Sequence, residues 1–101
     1  MEVNKEKFEE VLNNNDKVLV DFFATWCPPC KALGPIVEDV AKDLTDVKVI
    51  KVNVDDEQDL AIKYGIMSVP TLVFFDHANP KAQSVGLISK QELVDFINNN
   101  K

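Results

Sequence analysis

The sequence is poor in the side chains that build most catalytic and metal centres. It holds two cysteines and one histidine, and zinc takes about four nitrogen or sulfur ligands, so a structural zinc site is disfavoured. A cysteine protease is disfavoured as well, because His77 is the only histidine that could stand beside a thiol. Two cysteines are also too few for the disulfide framework of a small secreted domain. We therefore expect no metal, and chemistry that a single pair of thiols can carry out.

Positive charge and long apolar runs are also scarce. The chain has 11 basic against 17 acidic residues and a net charge of −6, which argues against nucleic acid and anionic membranes as partners. No stretch approaches the roughly 20 apolar residues that span a bilayer. The charged segment 1–6 does not resemble a signal peptide. We expect a cytoplasmic, monomeric protein.

The two cysteines stand in the segment Trp26-Cys27-Pro28-Pro29-Cys30, between a predicted strand and a predicted helix. Residues 17–24 are nearly all apolar, as in a central strand covered on both faces. Apolar residues at a 3.6-residue period then predict a helix to about residue 44. Unpaired N–H groups and the helix dipole favour an anion at the tip, so the Cys27 thiolate is stabilised for attack on a disulfide. Cys30 comes round to the same side and is positioned to resolve the mixed disulfide.

Three further residues join this pair in the predicted site. Asp21 interrupts the buried strand, and a buried carboxylate is costly and rarely kept without a role. We expect burial to raise its pKa and the carboxyl to exchange a proton with Cys30 through water; the alternative is a solvated position. Lys51, level with Asp21 on the next strand, either pairs with it or is merely solvated. Trp26 is interpreted as an apolar cover of the thiols, as a core aromatic, or as both.

The hydrophobic pattern and turn residues predict the remaining elements of a single domain, residues 1–101. The first are a helix over 4–15 capped by Asn4, a strand over 47–54 and a short helix that is capped by Asp55 or Asp56 and ends at Gly65. Strands over 71–75 and 82–87 follow, joined by a turn over 76–80. A capping box of Ser89 and Glu92 then opens the last helix. This order predicts an α/β sandwich, a mixed sheet with helices on both faces. Pro35 is expected to kink the long helix.

The order and spacing of the motifs resemble the thioredoxin family over nearly the whole chain. The matching segments are 18–31 with its Cys-x-x-Cys pair, Pro35, 52–55, 64–71 and 85–86. The resemblance implies the thioredoxin fold, a three-layer α/β/α sandwich, with an N-terminal edge strand that is short or absent. It also implies a protein disulfide reductase that needs no cofactor beyond a Cys27–Cys30 disulfide. The partners so implied are an NADPH-dependent thioredoxin reductase and oxidised proteins such as reductases and peroxidases.

Position by position, the resemblance assigns roles to residues of this chain. Cys27 resembles the attacking thiol, Cys30 the resolving thiol, Asp21 the buried acid and Lys51 its neighbour. Pro70 resembles the family's cis-proline, and it keeps Val69 extended so that Val69 can offer N–H and C=O groups to a substrate strand. The expected recognition groove consists of Trp26, Pro28, Pro29, Met67, Ser68, Val69, Pro70 and Gly86.

Three residues depart from the usual family pattern. Pro28 replaces the usual glycine, and its missing N–H is expected to alter thiolate stabilisation and the reduction potential. Phe23 replaces a frequent second tryptophan, and Ala78 stands where the groove loop often has glycine. A similar Pro-Pro pair occurs in membrane-tethered extracytoplasmic thiol reductases, which makes that role one alternative. A binding module that acts without thiol turnover is the other.

Overall fold

A computed structural model describes residues 1–101 and contains four helices and four strands. In chain order they are α1 (Lys5–Asn14), β1 (Lys17–Phe23), α2 (Pro28–Ala41), β2 (Lys48–Asn53), α3 (Gln58–Lys63), β3 (Thr71–Asp76), β4 (Asn79–Val85) and α4 (Lys90–Asn100). The strands form one sheet in the order β2-β1-β3-β4, in which β1 is parallel to β2 and antiparallel to β3, and β3 is antiparallel to β4. The predicted sandwich with a central mixed sheet is confirmed.

Alternate residues of β1 point to opposite faces of the sheet, and each set packs in a separate hydrophobic core. Val18, Val20 and Phe22 pack in a core that also contains Phe8 of α1 and Leu60 of α3. On the other face, a second core joins Leu19 of β1 to residues of α2 and α4, namely Leu33, Val37, Val40, Leu93 and Ile97. By the same alternation Asp21 shares the α2 face with Leu19. Burial on both faces explains why β1 is apolar throughout its centre.

The N-terminal edge of the sheet is a single bridge rather than a strand. Glu2 pairs with Lys51 in parallel, through Val3 N–H to the Lys51 carbonyl and Lys51 N–H to the Met1 carbonyl, both at 2.9 Å. The expectation of an edge strand that is short or absent is therefore confirmed.

Two predicted helix boundaries were wrong. Helix α2 ends at Ala41, not near residue 44, because the N–H groups of Asp43 and Leu44 bond three residues back, to Val40 and Ala41, which tightens the chain into a turn. The N-cap position of helix α3 is held by Glu57, whose side chain makes no capping bond, and not by Asp55 or Asp56. The predicted stop at Gly65 holds, since Gly65 has φ +66° and Ile66 N–H closes on the Ala61 carbonyl at 2.8 Å.

The hairpin is tighter than predicted. Strand β4 begins at Asn79, not near residue 82, because Asp76 pairs directly with Asn79 and leaves a two-residue turn of His77 and Ala78. Both turn residues have positive φ, 50° and 65°, as a twisted hairpin turn requires. Ala78 was wrongly assigned to the groove loop. It lies at the far end of β3 from Pro70, about 20 Å away at the usual rise per strand residue.

Candidate functional site

The two cysteines occupy the first turn of α2. Cys27 is the N-cap, and its Sγ accepts a hydrogen bond from Cys30 N–H at 3.2 Å. The two sulfurs form a disulfide with a Cα–Cα distance of 5.2 Å. Only 3 % of Cys27 and 6 % of Cys30 are exposed, so both sulfurs are accessible along few directions. The strand-to-helix junction predicted for the pair is confirmed.

Pro28 and Pro29 occupy the first two positions of the helix. The first position is the one where proline is best tolerated, because its N–H would have no intrahelical partner. An N-cap side chain accepts from the second or third helical N–H, so the donor missing at Pro28 is not one that Sγ would use. The donor that remains for Sγ is Cys30 N–H. The effect of Pro28 on the reduction potential stays a prediction.

Asp21 is fully enclosed on the α2 face of β1. It is 1 % exposed, and its Oδ1 has no hydrogen-bond partner, which argues against the solvated alternative. Burial raises the pKa of the carboxyl from 3.8 to about 6, against the opposing positive charge of Lys51. A carboxyl with this pKa exchanges protons close to neutral pH.

Lys51 lies beside Asp21 in the strand register but forms no ion pair with it. Its Nζ stands 4.8 Å from the centroid of the Phe23 ring, a cation–π arrangement. Lys51 therefore acts on Asp21 only through its positive charge, which lowers the pKa of the carboxyl, and does not form the predicted pair by a salt bridge. Lys51 and Cys30 also line a common cleft of about 380 Å³ together with Phe23 and Glu38, which brings solvent to the Cys30 side of the disulfide.

A second segment approaches the disulfide from across the site. The Val69–Pro70 peptide bond is cis, as the family resemblance implies, and the Val69 carbonyl oxygen lies 3.6 Å from Cys27 Sγ. Gly86 N–H donates to the Pro70 carbonyl at 2.8 Å, and Thr71 Oγ1 donates to the Ser68 carbonyl at 2.7 Å. These bonds fix the loop whose exposed edge faces Cys27. Gly86 is thus tied to the loop through the Pro70 carbonyl.

An apolar groove of about 540 Å³ begins beside this loop. Its lining includes Trp26, Met67, Ser68 and Val69 of the predicted set, together with Ala61 and Ile62 of α3. Met67 is 96 % exposed and Ile62 is 78 % exposed, although burial of such side chains is favourable. Pro28, Pro29, Pro70 and Gly86 do not line this groove. The structure therefore brings together only part of the predicted recognition set.

Trp26 stands on the groove wall and not in the core. It is 66 % exposed, so the core alternative was wrong, and its Nε1–H donates to Asp55 Oδ2 at 2.8 Å. The sequence interpretation missed Asp55 and Ile62 as site neighbours. The available signal was Ile62 itself, an isoleucine beside the buried stripe of a short helix.

No group of three or more His, Cys, Asp or Glu side chains is arranged to hold a metal ion. None of the helices has the length and apolarity that crossing a bilayer requires.

Comparison with known proteins gives a consistent result. The family model described as Thioredoxin matches residues 1–99. A thioredoxin of Rickettsia bellii is 48 % identical over 93 residues, covering 91 % of this chain and 89 % of that protein. One of Mycoplasmoides gallisepticum is 43 % identical, covering 93 % and 94 %. The structure of Plasmodium falciparum thioredoxin superimposes with a TM-score of 0.92 at 31 % identity, covering 99 % of this chain and 98 % of that one.

Proposed function

Since this chain belongs to the thioredoxin family and is a thiol–disulfide oxidoreductase, we propose that it reduces protein disulfides with Cys27 as the attacking thiol and Cys30 as the resolving thiol. The observation that carries this assignment is the position of Cys27 at the N-cap of α2, where Sγ accepts Cys30 N–H at 3.2 Å. That donor and the helix dipole stabilise negative charge on the Cys27 sulfur.

The reaction proceeds in two exchanges. The Cys27 thiolate attacks one sulfur of the substrate disulfide, the substrate S–S bond breaks, and the other substrate sulfur leaves as a thiolate. Cys30 then attacks Cys27 Sγ, which breaks the mixed disulfide and releases the second substrate thiol. Two electrons pass to the substrate, and the Cys27–Cys30 disulfide remains.

Asp21 assists the second exchange as the proton acceptor of Cys30. Its pKa of about 6 leaves the carboxyl mostly ionised at pH 7, and the unpartnered Oδ1 is free to take a proton through an intervening water. Lys51 tunes this acid, because its positive charge favours the ionised form. A neutral side chain at position 21 therefore slows deprotonation of Cys30.

The substrate segment binds across the 68–70 loop. Val69 presents its backbone next to Cys27 Sγ, so an extended substrate can pair with it as an added strand. Trp26 and Met67 offer apolar surface for the neighbouring substrate side chains. Pro28 and Pro29 shape the side of the site from which Cys27 is approached.

The remaining features follow the family. We place the protein in the cytoplasm as a single domain over residues 1–101, active as a monomer, with no cofactor other than its own disulfide. A thioredoxin reductase returns the disulfide to the dithiol with electrons from NADPH, and oxidised proteins such as reductases and peroxidases are the acceptors. The extracytoplasmic reductase and the non-redox binding module are the less favoured roles.

Insulin reduction by dithiothreitol tests the proposal. The wild type is expected to accelerate the precipitation of insulin chains, and Cys27→Ser is expected to abolish the acceleration. An inactive wild type, or full activity in Cys27→Ser, would reject the reductase assignment. The role of Asp21 is tested separately with Asp21→Asn, where unchanged thiol exchange rates above neutral pH would reject the proton relay.

A further inference from the structure

The apolar groove continues away from the disulfide onto helix α3. Ala61 and Ile62 form its distal wall, and Ile62 is 78 % exposed. The groove is continuous with the exchange site, since Val69 both lines it and contacts Cys27 Sγ. A substrate segment that reaches Cys27 can therefore place a side chain against Ile62.

Acidic side chains border this distal wall. Asp55, Asp56, Glu57 and Asp59 line an adjoining polar depression of about 220 Å³, and Gln58 lines both the depression and the groove. Asp59 precedes Ile62 by three residues in α3, so the two lie on one face of the helix. The rim of the groove on the Gln58 side, where α3 begins, is therefore negative.

Little positive charge offsets this rim. None of the four acidic residues forms an ion pair with a lysine; the structure's ion pairs are all elsewhere. Lys5 is the one basic residue lining the polar depression. Lys63, on the last turn of α3, lies 5.4 Å from the Tyr64 ring and does not line the groove. The carboxylates of Asp56 and Asp59 are free to attract a cationic partner.

Resting on the proposed function, we infer that this chain selects disulfide substrates in which an apolar residue near the reacting cysteine is followed by lysine or arginine. The apolar side chain occupies the groove against Ile62 and Met67. The basic side chain lies over Asp56 and Asp59. Charge complementarity of this kind acts mainly on the association rate and weakens with salt.

Two pairs of peptide disulfides test the inference. In each pair a leucine stands two residues from the cysteine. The charged residue stands two residues beyond the leucine, and it is lysine in one peptide and glutamate in the other. One pair extends on the amino side of the cysteine and one on the carboxyl side. Reduction rates are expressed relative to bis(2-hydroxyethyl) disulfide, a small uncharged substrate that reports the exchange chemistry alone.

The wild type is expected to favour the lysine peptide of at least one pair by about fivefold at low salt, with the preference shrinking in 0.5 M NaCl. Asp56→Asn with Asp59→Asn is expected to remove most of it. The matched control, Glu9→Gln with Asp43→Asn, removes the same charge from exposed, unpaired residues elsewhere and is expected to keep it. Asp55 is left intact because it holds Trp26.

Ile62→Ser tests the apolar half of the inference. It is expected to lower the advantage of the leucine peptides over otherwise identical alanine peptides, by about threefold or more given the free energy of burying methylene groups. An unchanged leucine advantage overturns this half.

The outcomes separate the two proposals. No lysine preference in either pair, or an equal loss in the rim and control variants, overturns the charge inference while the reductase assignment stands. Failure of the wild type to reduce any peptide, the small disulfide and insulin overturns the proposed function, and the selectivity inference with it.

Discussion

The N-termini of α2 and α4 are closed by the same kind of hydrogen bond. Ser89 Oγ accepts from Glu92 N–H at 3.1 Å, and Cys27 Sγ accepts from Cys30 N–H at 3.2 Å, each from the third helical residue. In α4 the bond is returned, because Glu92 Oε1 accepts from Ser89 N–H at 3.0 Å. In α2 no side chain returns it. The cap atom of α4 is a hydroxyl oxygen that only stabilises its helix, whereas the cap atom of α2 is a sulfur that can also take part in disulfide exchange.

The pKa values of Glu92, in the α4 cap, and of Asp21, in the predicted site of Cys27, are shifted in opposite directions. At α4, hydrogen bonds from Ser89 hold the pKa of the exposed Glu92 carboxyl below its usual value. At α2, burial without a partner for Oδ1 raises the pKa of Asp21 to about 6. Hydrogen-bond donors around the Glu92 carboxyl therefore lower its pKa, whereas burial without such donors raises the pKa of Asp21.

The largest expected effect comes from replacing the reactive cap atom. Cys27→Ser should lower the rate of insulin reduction by about 10³-fold or more, the scale seen when a nucleophile is removed. Serine is the better N-cap residue, so the free energy of unfolding, measured by urea denaturation of the reduced proteins, should not fall. Cys30→Ser is the matched control, since it should still attack and then accumulate the mixed disulfide. Substantial turnover in Cys27→Ser would contradict the comparison.

The next largest effect concerns Asp21. In the folded state burial raises the pKa of Asp21 to about 6, while in the unfolded state the carboxyl releases its proton near its ordinary pKa of 3.8. Stability therefore falls as pH rises through this window, by about 3 kcal/mol at 1.36 kcal/mol per pKa unit. Asp21→Asn should be more stable than wild type at pH 7, and the difference should vanish towards pH 4. Urea denaturation at both pH values measures it. A difference that does not depend on pH would show that Asp21 titrates normally.

Removing the capping hydroxyl of Ser89 should change stability and leave the reductase rate unchanged, the opposite of what is expected at Cys27. Ser89→Ala removes the bond to Glu92 N–H and should lower the free energy of unfolding by about 1 kcal/mol. The rate of insulin reduction should stay unchanged. Ser89→Thr is the control, because threonine retains the hydroxyl. A large loss of reductase activity with intact stability would mean that the α4 terminus takes part in the exchange.

Pro28→Gly tests what proline contributes at the start of α2. Glycine widens the unfolded ensemble, so the free energy of unfolding of the reduced protein should fall by about 0.4–1 kcal/mol. The Cys30 N–H bond to Sγ should persist, because it does not involve position 28. Urea denaturation of both reduced proteins measures the change. Increased stability in Pro28→Gly would show instead that Pro28 is strained.

The smallest effect is expected at Glu92. Its lowered pKa means that its contribution to stability is present above the unfolded pKa and is lost as pH falls through the folded pKa. Glu92→Gln should therefore be slightly less stable than wild type at pH 7 and equal to it near pH 3. Thermal unfolding followed by circular dichroism at the two pH values would detect it. The opposite pH trend would contradict the assigned capping box.

Local signals predicted the elements that carry them. Asn4 caps α1 through its side chain, Ser89 and Glu92 form the predicted capping box, and the apolar run of β1 is buried. The prediction failed where several turns compete within a few residues. Asp55 and Asp56 were expected to cap α3, but the chain first turns back on the Asn53 carbonyl, which accepts from Asp56 N–H and Glu57 N–H. The hairpin was misplaced because its turn closes at Asp76 and Asn79.

By itself, the sequence determined the α/β order, the two-faced burial of β1 and the place of Cys27 at a helix start. These features depend on periodicity and on neighbours within a few residues, which the chain displays directly. Only the tertiary structure decided that Val69 lies beside Cys27, that Asp21 has no partner for Oδ1 and that Trp26 meets α3 in one groove. Contacts between remote segments and the loss of water around a carboxyl arise from packing, and no local pattern records them.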